Sequence, residues 1–180
     1  MEAPHGIPPR ISTANVVLSN VTTILTRMVM HGCQLRRATT KSEEQIHAFL
    51  FPIVCSLVEG QWADADIFVW ALLLLQRATS CRPVPALEGV DATGQCSVTA
   101  PMVLSLANAR LMIAAAISLV HKTAGDDWFG AHSMATGVGM TPTPRTAHMI
   151  GATEFDLFCA LEFDTRISVD KFNHALRELS

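Results

Sequence analysis

The chain contains an uncharged segment, residues 111–121, with the sequence LMIAAAISLVH. As a helix it would present no polar face to water, so other elements must cover it. It would also be only about 16 Å long, roughly half the thickness of a bilayer core. We therefore expect this helix to lie inside a protein core and not in a membrane. A single cation, Lys122, follows it directly.

The overall composition indicates one compact domain. The chain has 180 residues, of which 49% are hydrophobic and 16% are charged. One core can be built at this length, and the apolar content is too high for a solvated coil. The net charge of −3 provides no basic surface for phosphate contacts. We therefore expect no nucleic-acid partner, and the short apolar segment 111–121 likewise indicates no membrane partner.

The cysteines and the start of the chain bear on its compartment. The five cysteines are Cys33, Cys55, Cys81, Cys96 and Cys159. An odd number without a C-x-x-C pair is typical of free thiols in a reducing compartment, which predicts an intracellular protein of the nucleus or the cytoplasm. The first residues, MEAPHGIPPR, lack the apolar core of a secretory signal. We expect residues 1–12 to form an arm and residues 13–180 to form a single domain.

Apolar residues recur at spacings of three and four along most of the chain, which predicts an all-α fold. A long loop is expected at 80–98, and a connector rich in glycine and proline, GAHSMATGVGMTPTP, is expected at 130–144. The predicted helices are 13–31, one that starts after Ser42, 64–79, one that starts near Pro101 or Leu106 and ends at Lys122, 145–161, and 169–179.

Several residues mark where these helices begin, end or bend. Ser42 and Gln45 have the spacing of a capping box, and Ser168 is placed to cap the last helix. Gly32 predicts the end of the first helix. Pro52 removes a helical hydrogen bond and predicts a kink or a break in the second helix. The last helix is expected to bury one stripe, formed by Val169, Phe172, Leu176 and Leu179.

No catalytic motif is compelling. His121 could pair with Asp126 or Asp127 and activate Cys159 or Ser133, but the spacing does not require this, because a triad is defined by its geometry in space. The seven histidines are dispersed, and no two have the spacing of ligands on one helical face. We therefore expect no catalytic residues, no metal, no cofactor and no small-molecule substrate.

Lys122 and Glu154 are charges set in otherwise apolar helices, and the pattern leaves two interpretations of each. Lys122 is either a lysine that extends to water or binds the last carbonyls of its own helix, or a residue that binds a partner. Glu154 is either a solvent-facing residue in the first half of its helix or part of the same partner site. The residue pattern alone favours the simpler interpretation of both.

The chain resembles the single-box cyclins of the P/U type over about residues 40–175. In that family a buried helix ends in a lysine, an aspartate and an aromatic residue follow, and a later helix with a glutamate and a phenylalanine leads into a short turn. The matching residues here are VHK at 120–122, Asp126, Trp128, MA at 134–135, Gly139, TEFDLF at 153–158 and LEFDTRISVDKF at 161–172.

This resemblance implies a five-helix cyclin box with additional N-terminal and C-terminal helices. It implies that the protein is not an enzyme but the activating subunit of a cyclin-dependent protein kinase, in cell-cycle control or in phosphate and nutrient signalling. Lys122 and Glu154 would bind backbone groups that flank the C-helix of the kinase. Phe155 and Phe158 would be apolar anchors beside them, unless either belongs to the core.

The sequence departs from the family pattern at four positions, and a second function fits the same fold. Pro52 stands about where relatives carry an arginine, Val120 replaces a small residue, Arg110 comes one place early, and Thr153 replaces a leucine. The stretch MTPTP and the 80–98 loop are insertions. The alternative function is a helical scaffold or adaptor with a cyclin-like box that binds a partner other than a kinase.

Overall fold

The structure, a computed structural model, describes residues 10–35, 41–80, 102–124 and 130–179. None of these residues lies in a strand, and α-helices joined by turns make up the described part of the chain. The predicted all-α class is confirmed. The helices are α1 (Arg10–Leu35), α2 (Glu43–Glu59), α3 (Ala65–Ser80), α4 (Ala109–Ala124), α5 (Ala131–Gly137), α6 (Pro144–Ala160) and α7 (Val169–Leu179).

Some of the sequence predictions concern residues outside the described ranges, and they stay predictions. They are the arm up to residue 9, the loop over 81–98, Cys81, Cys96, Asp126, Asp127 and Trp128. The last residues of the predicted arm lie in α1, because this helix begins at Arg10.

Helix α1 buries one face against α2 and α3. Its buried apolar side chains are Val17, Val21, Leu25, Val29 and Cys33, each four residues from the next. Thr22 and Thr26 are buried with them, and each hydroxyl donates to a carbonyl oxygen one turn earlier at 2.8 Å. The helix therefore buries these two polar side chains without leaving their hydroxyl groups short of a hydrogen-bond partner.

Gly32 does not end α1, so the sequence prediction of a helix stop there is wrong. The helix continues to Leu35, and Gly32 is buried within it. A Cβ atom at this position would overlap the carbonyl oxygen of Leu104 and would lie 2.9 Å from Val103 Cγ1. The glycine allows the backbone before α4 to cross α1 at close range.

Helix α2 opens as predicted and continues through Pro52. Ser42 Oγ accepts from the N–H of Gln45 at 3.3 Å, and Gln45 Oε1 accepts from the N–H of Ser42 at 3.2 Å, so the capping box is confirmed. Pro52 is exposed and interrupts neither turn of the helix around it, so the predicted break does not occur. On this exposed side water can satisfy the carbonyl that loses its helical donor.

Helices α3 and α4 form the centre of the core, as their apolar sequences predict. Helix α4 packs against α3, α5 and α6. Ala114, Ala115 and Ala116 are fully buried, and side chains this small let neighbouring helices approach closely. None of the described helices is both long and apolar enough to cross a membrane.

Helix α4 begins at Ala109, later than either predicted start. Asn108 accounts for the difference, because its side chain holds the preceding residues in a turn. Its Oδ1 accepts from the N–H of Ser105 at 2.8 Å, and its Nδ2 donates to the carbonyl of Val103 at 2.9 Å. These bonds satisfy the backbone outside the helix and fix where the helix starts.

Helix α5 lies within the stretch that the sequence predicts as a connector. It has seven residues, and Met134, Ala135 and Gly137 are buried. A Cβ atom on Gly137 would lie 2.6 Å from the ring of Trp62 and 2.9 Å from the side chain of Leu57. Gly137 at the end of α5 lets this short helix pack closely, and residues 138–139 form a turn after it.

Helices α6 and α7 agree with their predicted positions. Ser168 Oγ accepts from the N–H of Lys171 at 3.4 Å at the start of α7. At its other end Leu179 is buried, and its carbonyl accepts from Asn20 Nδ2 of α1 at 3.1 Å. Val169 is 72% exposed, so its predicted place in the buried stripe is wrong.

Candidate partner-binding site

Lys122 and Glu154 meet at the surface between α4 and α6. Lys122 lies in the last turn of α4. Glu154 lies in the second half of α6, so its predicted place in the first half of the helix is wrong. The Lys122 Nζ and Glu154 Oε1 atoms are 2.5 Å apart. The lysine side chain is 41% exposed and the glutamate side chain 13%, so the pair stands at the boundary between the core and solvent.

Ser118 holds the second oxygen of the Glu154 carboxylate. Its Oγ donates to Glu154 Oε2 at 3.0 Å, and Ser118 itself is buried. Ser118 precedes Lys122 by four residues, so both side chains lie on the same face of α4. Together they fix the carboxylate through both oxygens, and each oxygen keeps a second lone pair for a further donor. Sequence analysis missed Ser118, although its spacing from Lys122 is a usable signal.

This geometry argues against the simpler interpretation of Glu154, that of a solvent-facing residue. A solvent-facing glutamate would have an exposed side chain, but that of Glu154 is largely covered and held by α4. A carboxylate at this boundary needs charge or hydrogen-bond partners, because partial burial disfavours the charged form. The contact brings the two predicted residues together, while the predicted role in partner binding stays a prediction.

Aromatic side chains follow Glu154 in α6 and in the turn after this helix. Phe155 follows Glu154 directly and is 62% exposed, so it does not belong to the core. Phe158, one turn after Glu154, is half-buried and packs against the core. Phe163 is 63% exposed, and its ring meets that of Phe158 edge-on, with centroids 5.1 Å apart at 89°. We call Phe155, Phe158 and Phe163 the aromatic patch.

Phe163 is held outward by an unusual backbone, which is why sequence analysis did not identify it. Glu162 and Phe163 have φ values of 54° and 59°, in the left-handed region that residues with bulky side chains rarely adopt. The N–H of Phe163 donates to the carbonyl of Phe158 at 3.0 Å, and the N–H of Glu162 donates to that of Cys159 at 2.9 Å. These bonds close the C-terminal end of α6 and turn the Phe163 ring to the surface.

Side chains from α3 hold the segment after α6 in place. Arg77 donates to the carbonyl of Leu161 at 3.1 Å and to that of Arg166 at 3.4 Å. Trp70 Nε1 donates to the carbonyl of Thr165 at 3.2 Å. The strained residues therefore lie between fixed points, as a preorganised surface requires.

Asp164 completes this network and titrates in an unusual range. The Arg166 guanidinium donates to its carboxylate at 2.9 Å, and the N–H of Arg166 donates at 3.0 Å. These hydrogen bonds, with the charges of Arg166 and Arg77, lower the pKa of Asp164 from 3.8 to about 2. The ionised carboxylate therefore favours the folded segment.

Asp164→Asn is expected to lower the melting temperature at neutral pH, and the difference from the native chain is expected to shrink in acid. Because the pKa of Asp164 is lower in the folded chain than in the unfolded chain, the ionised carboxylate stabilises the fold. This contribution is fully present above pH 3.8 and is lost as the pH falls through about 2. Thermal unfolding of both chains across this range measures the effect. Asp156→Asn, at an exposed residue of α6, serves as the control. A difference that stays constant down to about pH 2 would contradict the prediction.

His121, one of the residues considered for catalysis, makes a contact between two parts of the fold. His121 Nε2 lies 2.7 Å from the carbonyl oxygen of Trp62; a carbonyl only accepts, so this nitrogen carries the proton. The contact ties the end of α4 to the turn between α2 and α3.

Cys33, Cys55 and Cys159 are free thiols, and no three His, Cys, Asp or Glu side chains of the described ranges form a group that could hold a metal.

Comparison of the chain with protein-family models, with curated proteins and with solved structures finds no match in any of the three.

Proposed function

We propose that the chain is the activating subunit of a cyclin-dependent protein kinase and that α2 to α6 form a single cyclin box, flanked by α1 and α7. The observation that carries the proposal is the contact of Lys122 with Glu154, a pair that the aromatic patch follows in the chain. The sequence resemblance assigns kinase binding to this lysine and glutamate, and in the fold the pair stands at the boundary between core and solvent, with the exposed Phe155 next to Glu154 in the chain.

The chemistry of the pair suits recognition of a backbone. An ammonium group has three donors and a carboxylate accepts only, so the two side chains can bind carbonyls and N–H groups without contacting a partner's side chains. Glu154 is already oriented by Ser118, which lowers the cost of ordering it on binding. The pair therefore supplies specificity for main-chain groups near the end of a helix.

The aromatic patch supplies the apolar part of the interface. Buried aromatic anchors carry much of the binding energy in protein complexes. Phe155 and Phe163 are more than half exposed, so a partner could cover most of each ring. Phe158 supports the Phe163 ring from the core side.

Activation follows from the state that this surface would bind. A protein kinase needs the glutamate of its C-helix paired with the lysine that positions ATP. A subunit that binds only the inward position of that helix shifts the population toward the active state by its differential affinity. The chain would then contribute no catalytic group and no cofactor site.

Affinity capture from the native cell, followed by mass spectrometry, tests the proposal. We expect a cyclin-dependent kinase to be recovered, and we expect Phe155→Ala to weaken its binding about 30-fold, because truncating a central anchor costs about 2 kcal/mol. Phe51→Ala is the matched control. Phe51 is 40% exposed and stacks on His47 within α2, a helix that contributes neither residue of the pair.

The outcomes of this experiment are distinct. Recovery of a kinase with both variants in equal amount would contradict the assigned surface. Stable recovery of a partner that is not a kinase would contradict the function and favour a scaffold. Because Phe155 is exposed, its truncation should leave the melting temperature of the isolated chain nearly unchanged.

A further inference from the structure

The segment between α5 and α6 contains a repeated dipeptide that the proposed function does not use. Residues 140–144 read MTPTP, so Thr141 and Thr143 are each followed by a proline. The segment from 140 to 143 is not helical and leads directly into α6. Both Thr141 and Pro142 are exposed to solvent.

The two threonines differ in what their hydroxyls do. Thr143 is the N-cap of α6, and its Oγ1 accepts from the N–H of Thr146 at 3.1 Å and lies 2.8 Å from the Thr146 hydroxyl. Thr143 is also half-buried. Within the described part of the chain, no hydrogen bond engages the hydroxyl of Thr141. Of these two threonines, Thr141 is therefore the one that combines an exposed side chain with a hydroxyl outside any hydrogen bond.

The surroundings of Thr141 would accept added negative charge. Residues 130–153 contain no aspartate or glutamate. Arg145 is the second residue of α6, and the first turn of this helix has no acidic side chain. The N-terminal end of a helix carries partial positive charge, so a phosphate two residues before the cap meets attraction from the helix and from Arg145.

We propose that Thr141 is a phosphorylation site for a proline-directed protein kinase. Such kinases select a hydroxyl that is followed by proline, a residue with no N–H to leave unsatisfied at the kinase surface. In the reaction, Thr141 Oγ1 forms a bond to the γ-phosphorus of ATP, and the bond between that phosphorus and the β–γ bridging oxygen breaks. The hydroxyl proton passes to a carboxylate of the kinase, and ADP leaves.

This modification does not depend on the kinase-activating function proposed above. Glu154 lies ten residues beyond the start of α6, about 15 Å along the helix axis. Thr141 precedes α6 by three residues, so a phosphate there stands near the start of this helix, whereas the Lys122–Glu154 pair involves its second half. The chain can be a substrate of a proline-directed kinase whether or not it activates one.

The full-length chain, incubated with ATP, Mg²⁺ and a purified cyclin-dependent kinase bound to its own cyclin, tests the proposal. Mass spectrometry of the digested chain is expected to find phosphate on Thr141. Thr141→Ala and Pro142→Ala are expected to lose it, while Thr141→Ser keeps it. Pro144→Ala is the matched control, because it removes the second Thr-Pro dipeptide and leaves the Thr143 cap, so its phosphorylation should equal that of the native chain.

Other outcomes would overturn the assignment. They are phosphate on Thr143 in place of Thr141, undiminished phosphorylation of Pro142→Ala, and no phosphorylation of the native chain. Circular dichroism of each variant establishes that its helices are intact. The kinase in this assay is already bound to its own cyclin, so a failure of the proposed kinase-binding site leaves this result unchanged.

Discussion

Lys122→Ala is expected to weaken binding of the proposed kinase partner at least about 30-fold while the isolated chain stays folded. In the free protein the lysine side chain is 41% exposed, so its ion pair with Glu154 contributes at most about 1 kcal/mol to folding. In a complex that excludes water, loss of the lysine leaves the Glu154 carboxylate buried without its counter-charge. Truncating one partner of such a pair costs about 2–5 kcal/mol, and every 1.4 kcal/mol is tenfold in affinity.

Equilibrium binding of the captured kinase to native and variant chains measures this effect. Glu154→Gln keeps the size of the side chain and removes the charge, and it should weaken binding to a similar extent. The double variant Lys122→Ala with Glu154→Gln should lose less than the sum of the two, because neither charge is then stranded. Lys171→Ala removes an exposed lysine on α7 and is the control. Equal affinities for the Lys122→Ala and Lys171→Ala chains would refute the role of the pair.

Ser118 links this prediction to how the pair is built. The hydroxyl of Ser118 orients the Glu154 carboxylate but adds no charge. We therefore infer that truncation of Ser118 would weaken partner binding less than loss of Lys122 does. Its cost would be the free energy of ordering Glu154 on binding, because no charge is left unpaired.

The sequence predicts a helix well where the signal for it lies within one short segment of the chain. Helices α3 and α4 could be placed because their apolar runs have no polar face, and α2 because Ser42 and Gln45 cap it locally. These signals act within a few residues. A contact such as that of Gly32 with Leu104 joins segments far apart in the chain, and the same glycine then resembles a helix stop.

The candidate site divides in the same way. Lys122 and Glu154 are visible as isolated charges in apolar helices, although their contact across α4 and α6 is tertiary. Phe163 could not be identified, because its exposure depends on two left-handed residues and on bonds from Arg77 and Trp70 of α3. Helix α5 was missed for a related reason: small residues and Gly137 suit close packing against Trp62 but resemble a turn in sequence.

Gly32→Ala is expected to destabilise the chain by about 1–3 kcal/mol or more, because the added methyl group would overlap the carbonyl oxygen of Leu104. That oxygen belongs to the backbone before α4, so relief of the overlap would displace the entry to the central helix. Gly151→Ala is the matched control: nothing lies within 4 Å of the added atom on this exposed turn of α6, and alanine should stabilise the helix by up to about 1 kcal/mol. Denaturant unfolding of the three chains gives both values. If both substitutions raise the free energy of unfolding, or both lower it, the close crossing of α1 does not explain why position 32 is a glycine.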